Sequence, residues 1–255
     1  MNTDHREFYN SENLEAVYDH RELIDELGHY IHIIDKYYSS SHEFLYENDQ
    51  KMIRLFTSAL LEYSKEAYNS VLRGNFYAAA MLNRAMIENY VCLRIVLDHP
   101  EKELWKYWEV HSYMKAVKRK NLPELEAELL KFCEKSDVDP SLLKKREFND
   151  SKGWLLPVTR QLSMRSLCSL VDPAIYEDYQ DLCDFVHGIS LFQKQMTFTF
   201  YDTVIPMFYR LFEYIACFSE TCFADDLDDE YWDSYGKIND FTREALQKIG
   251  RWYEE

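Results

Sequence analysis

The stretch AAMLNRAMIENYVCLRIVL, residues 79–97, holds few polar side chains, and neither glycine nor proline interrupts it. Apolar residues recur at three- and four-residue intervals, which predicts a helix. Pro100 predicts its end ahead of "DHPEK", because the residue before a proline disfavours helical geometry. Two of the polar intrusions, Arg84 and Glu88, stand four residues apart in its middle. Projected at about 100° per residue, they fall within about 40° of each other. Tyr77, Met81, Val91, Cys92 and Ile95 project to the same side, whereas Asn83, Tyr90 and Arg94 project to the other. The pair is therefore expected at the centre of the apolar stripe, withdrawn from water.

That placement asks for a reason. A surface ion pair contributes roughly 0–1 kcal/mol, and burying one costs several kcal/mol per ion before partners offset it. Arg ahead of Glu is also the weaker orientation at this spacing. One reading is a polar network that sets helix register. The other is a polar pocket between helices, where bundles build their sites. There Arg84 would hold an anion, and Glu88 would orient it or accept a proton.

Further helices are expected on either side. Residues 11–38 keep helical spacing behind Ser11 as N-cap, and residues 43–72 form a second long helix with Gly74 suited to its C-terminal cap. Residues 101–120, 122–135 and 140–148 follow. "NDSKGW" is a loop, then helices are expected at about 156–170, from Pro173 to His187, across 190–222 and at the C-terminus. "TFTFY" (197–201) alternates like a strand, but a lone strand has nothing to pair with. A helix kinked near Pro206 is the preferred reading. With 6 Gly, 6 Pro and 47% hydrophobic residues, the composition suits helices on short loops. The expected fold is an all-α bundle with long antiparallel helices. It spans residues 1–255 as a single domain, or as two packed halves with a seam near 148–155.

The formal charge is −16. Such a field repels nucleic-acid phosphate and anionic lipid on average. The charge is uneven: "ETCFADDLDDEYWD" (220–233) carries seven acids and no base, while "KAVKRK" (115–120) and "KKR" (144–146) are basic. The six cysteines (92, 133, 168, 183, 217, 222) show no C-x-x-C pairing and read as reduced thiols of a cytoplasmic protein. No secretory signal and no membrane span is expected.

A second lead is YEDYQDLCDFVHGIS, residues 176–190. Tyr176, Tyr179, Cys183 and His187 share one helical face. At a helix C-terminus His187 could cap carbonyls as a cation. Set beside Arg84 and Glu88, it could instead act as a general acid or base near neutral pH. At these residues, with Trp154 in "KGWLLPVTRQLSMRSLCSL", the chain resembles an uncharacterised bacterial all-helical family. The carriers are Arg84 and Glu88, then Trp154, Tyr176, Tyr179, Leu182 and His187-Gly188, over roughly residues 45–220. That family is distantly similar to the HEPN group of helical nucleases and toxin–antitoxin proteins. The resemblance implies Arg84, Glu88 and His187 as catalytic candidates, with Trp154, Tyr176 and Tyr179 as binding residues. The HEPN motif places an Arg a few residues before the His on one helix, and no Arg lies four to six residues before His187.

The remaining motifs carry less. Glu26/His29 and Asp184/His187 have the spacing of di-metal carboxylate ligands, but chance alone accounts for such pairs in so acidic a chain. No metal or cofactor is expected, and no phosphate loop, dinucleotide fingerprint, nucleophile elbow or zinc-protease motif occurs. Two functional expectations follow. The first is a helical interaction or accessory protein of bacterial stress or phage-defence type, with a protein partner or second copy docked on its acidic or aromatic surface. The second is a HEPN-like nuclease or other hydrolase using Arg84, Glu88 and His187. Nucleic acid is disfavoured by charge.

Overall fold

A computed structural model describes residues 11–40, 48–120, 124–186, 201–225 and 227–250. Among them every regular element is helical, and the chain is an all-α multi-helix bundle. The α-helices are α1 (Ser11–Asp19), α2 (Arg21–Ser40), α3 (Asn48–Leu72), α4 (Phe76–Asp98), α5 (Leu104–Lys120), α6 (Glu124–Lys135), α7 (Met164–Val171), α8 (Ile175–Val186), α9 (Tyr201–Phe223) and α10 (Asp229–Gly250). Short 3-10 turns lie at Pro100–Lys102, Pro140–Lys144, Glu147–Asn149 and Gly153–Leu155.

Local chemistry sets the helix ends. Gly74 stands at φ 68° after α3, a left-handed conformation that glycine adopts without a side-chain clash. Asn75 then opens α4, its side-chain oxygen accepting the Ala78 N–H at 3.1 Å. Asp228 caps α10 in the same way, accepting the Tyr231 N–H at 3.1 Å, and Asp229 and Glu230 complement the positive end of the helix dipole.

Three expected boundaries change. Residues 11–38 are two helices divided at His20, whose carbonyl accepts the Ile24 N–H at 3.0 Å and starts α2 afresh. Residues 140–148 form 3-10 turns, opened by Asp139, whose side chain accepts the Ser141 N–H at 2.9 Å. The helix expected from 156 begins only at Met164, where Ser163 supplies the cap. α9 runs through Pro206 in its second turn, while residues 190–200, including most of "TFTFY", lie outside the described residues.

The chain divides into two compact units. One comprises residues 1–44, 56–90 and 177–255; the other comprises 45–55 and 91–176, and residues 148–155 lie inside it. In the first unit α2 is buried at Leu23, Ile24, Leu27, Tyr30, Ile31 and Ile34, the three- and four-residue spacing of an amphipathic helix. It packs on α9 and α10. The Tyr30 ring lies 5.4 Å from Phe212 and 5.1 Å from Tyr231. Burial raises the pKa of both phenols; Tyr231 adds to the rise at Tyr30, whereas Tyr30 opposes it at Tyr231.

In the second unit α5 packs on α6 and on the 3-10 turns that follow. Val110, Met114, Leu129, Cys133, Val138 and Phe148 form its core. His111 Nε2 meets the Asp150 carbonyl at 2.8 Å. A methyl group at Gly153 would stand 2.4 Å from the Phe148 carbonyl oxygen, so the two turns pack closely only because no side chain intervenes. Gly153→Ala is expected to destabilise the fold by about 1–3 kcal/mol through overpacking. Gly236→Ala, inside α10 with open space around it, is expected to stabilise it by about 0.5–1 kcal/mol. Urea denaturation of both variants checks the contrast.

Candidate functional site

α4 is apolar around most of its circumference, and its burial shows which way it is turned. Ala79, Ala80, Asn83, Met86, Ile87, Tyr90 and Leu93 are buried, Asn83 completely, whereas Met81 is 45% exposed. Arg84 and Glu88 follow Met81 on the accessible side, with side chains 24% and 28% exposed. The expectation of a pair at the centre of the apolar stripe is therefore corrected. Arg84 and Glu88 sit at its edge, and the polar residue in the centre is Asn83. Nearly uniform hydrophobicity makes the rotation of such a helix hard to read from a projection.

The two charges are nevertheless held by another element. Arg84 Nη2 donates to the Tyr179 hydroxyl at 2.8 Å, and that hydroxyl donates to Glu88 Oε1 at 3.1 Å. Arg84 and Glu88 themselves are 3.5 Å apart, and the guanidinium carbon lies 5.0 Å from the Tyr179 ring centroid. One phenol on α8 thus accepts from the cation, donates to the carboxylate and offers its face to the same cation.

The protonation states follow from this arrangement. Burial works against the charged guanidinium, but the Tyr179 oxygen and the nearby Glu88 charge outweigh it, and the pKa of Arg84 rises above its ordinary value. Burial pushes the Tyr179 phenol up to about 12; the Arg84 hydrogen bond opposes that and Glu88 reinforces it. The phenol therefore stays protonated through neutral pH.

Of the other candidates, Trp154 is 5% exposed, packed within the second unit as part of the 3-10 turn that meets α5. It is a core residue there. Tyr176 lies under the Arg165 guanidinium, 5.8 Å from ring centroid to cation. His187 lies outside the described residues. The structure thus brings together Arg84, Glu88 and Tyr179 of the six.

A second polar cluster on α8 escaped the sequence reading. Arg210 Nε of α9 donates to Asp178 Oδ1 at 2.9 Å, and its Nη2 donates to Asp181. The Tyr214 hydroxyl donates to Asp178 Oδ2 at 3.0 Å. Burial, then the Asp178 charge, raises the Tyr214 pKa. Glu213 is half-buried nearby; burial raises its pKa, the Tyr209 hydrogen bond opposes this, and Asp178 adds to it. The signal was available in α9, where Arg210, Glu213 and Tyr214 interrupt an aromatic and aliphatic run. Among the described residues, no group of three or more His, Cys, Asp or Glu side chains could hold a metal ion, and no helix is long and apolar enough to cross a membrane.

Fold and junction together define an all-helical protein in which a buried tyrosine bridges an ion pair on a neighbouring helix. The chain belongs to a family of unknown function (DUF5677), which matches residues 49–196. That span takes in Arg84, Glu88, Trp154, Tyr176, Tyr179 and His187. No curated protein and no solved structure matches the chain.

Tyr179→Phe keeps the ring and removes the bridge; it is expected to cost about 1–2 kcal/mol in urea denaturation. Arg84→Ala should cost more, because it also removes the cation over the ring. An unchanged midpoint for Tyr179→Phe would show that the hydroxyl adds nothing. Glu213 has a folded-state pKa above its unfolded one, so its contribution favours the fold at low pH and is lost as pH rises through the raised value. Glu213→Gln is expected to raise the melting temperature at pH 7, with the gain fading as pH falls through the raised value and gone below about pH 4.3.

Proposed function

We propose that this protein is a non-enzymatic helical interaction or accessory protein in which the Arg84–Tyr179–Glu88 junction is architectural. The observation that carries the reading is that the Tyr179 hydroxyl is engaged on both sides. The phenolic hydrogen is taken by Glu88 and the phenolic oxygen by Arg84, so Tyr179 has neither a free base nor a free proton to offer a substrate. A partner would dock at the start of α10. Trp232 is 48% exposed there, edge-on to Tyr231 at 5.0 Å and to Tyr235 at 5.7 Å, among the acids of residues 225–233. Exposed aromatic side chains on a fixed backbone are favoured in protein interfaces. The partner that fits is a protein surface with basic and apolar character, or a second copy of the chain. Six free thiols support a reducing, cytoplasmic setting. A bacterial stress or phage-defence role rests on the distant HEPN resemblance alone.

The second reading, a HEPN-like nuclease or other hydrolase using Arg84, Glu88 and His187, is favoured by the solvent access of Arg84 and Glu88. Purified protein and its Arg84→Ala variant separate the two. The accessory reading expects no turnover of RNA or of ester substrates, and a lowered melting temperature in the variant. Turnover by the wild type that Arg84→Ala abolishes at unchanged melting temperature would overturn it. Trp232→Ala is expected to leave the melting temperature within about 1 °C, consistent with a small surface effect, while weakening self-association or partner binding in light scattering.

A further inference from the structure

The charge of this chain is polarised between its two units. The first holds 30 acids and 12 bases, and the second holds 15 acids and 17 bases. Within the second, bases from separate runs gather around the turn Glu147–Asn149. Lys115 and Lys118 of α5 donate to the carbonyl and side-chain oxygens of Asn149. Those oxygens carry no formal charge.

Beside that turn lies a recess of about 480 Å³, within the size range of small-molecule sites. Tyr107, Leu142, Leu156 and Pro157 form its apolar wall. Tyr107, Leu142 and Leu156 pack directly on the core around Val110, Met114 and Phe148, so the wall is held from behind. Lys145 and Arg160 line the same recess. Both are exposed, and Lys145 also stands in the field of the Asp139 carboxylate. Glu147 lines it too, and is exposed.

We propose that this recess binds a small organic phosphate with a flat apolar body. The phosphate would lie between Arg160, whose planar fork suits paired anionic oxygens, and Lys145, which acts as a point charge. A phosphate monoester near neutral pH carries about −1.5 to −2 charge on three oxygens, enough to engage both cations together. A carboxylate offers one charge for the two. The body would lie against the Tyr107 ring, Leu156 and Pro157. Glu147 opposes an anion in the recess and limits affinity. This site is independent of the Arg84–Tyr179–Glu88 junction, which lies in the other unit.

Calorimetric titration of the full-length chain with phenyl phosphate, inorganic phosphate and benzoate at low salt tests this. Phenyl phosphate is expected to bind saturably, with inorganic phosphate and benzoate each about tenfold weaker or more. Arg160→Gln and Lys145→Gln should each weaken phenyl phosphate about tenfold, and Glu147→Gln should tighten it about twofold or more, because it removes a like charge. Arg243→Gln, in the other unit, should change nothing. All four positions are exposed, and melting temperatures confirm that the variants fold. Absence of saturable binding, benzoate binding as tightly as phenyl phosphate, or an affinity indifferent to both Arg160→Gln and Glu147→Gln would overturn the proposal.

Discussion

One phenol joins the charged pair of α4 to α8. Tyr179 places a neutral, buried hydroxyl between a cation and a carboxylate and hydrogen-bonds to both through a single atom. Arg84 and Glu88 on their own would be an unfavourably ordered i,i+4 pair of small value. With the phenol between them, each charge gains a hydrogen bond in a place where water reaches only part of the side chain. That supplies a physical reason for charges on so apolar a helix. It also sets the rotation of α8, because Tyr179 can meet the pair only if that face is turned to α4.

That rotation has a consequence on the adjacent face. Asp178, one residue earlier, is directed to α9, where Arg210 and Tyr214 take its two oxygens. Consecutive residues on one short helix thus hold two neighbours by the same means, an arginine and a tyrosine around a carboxylate. In the first cluster the tyrosine is on α8 and the charges are on α4. In the second the acid is on α8 and the arginine and tyrosine are on α9. Tyr90 of α4 and Tyr214 of α9 lie edge to face at 5.8 Å, so the two helices held by α8 also meet each other.

The second unit is built on a different principle. Its core is closed by 3-10 turns in place of a long helix, and the close approach at Gly153 lets those turns pack. Turns leave less regular surface than helices do, and a recess with an apolar wall and two cations results. The acidic excess of the chain lies almost wholly in the other unit, so the repulsion of anions implied by the total charge does not describe this surface.

The sequence by itself determined the helical class, most helix boundaries, the Gly74 turn and the two segments, 79–97 and 176–190, that meet at Tyr179. These are local properties, since spacing, caps and turn residues act over a few positions. Only the tertiary structure decided which side of α4 is buried, that Asn83 and not Arg84 occupies its centre, and that Trp154 belongs to a core. Only it revealed Arg210 as the partner of Asp178, from a helix thirty-two residues away. The reason is physical. A helix apolar on nearly every side is compatible with many rotations, and the choice among them is made by the side chains of other helices, whose positions no short-range pattern encodes.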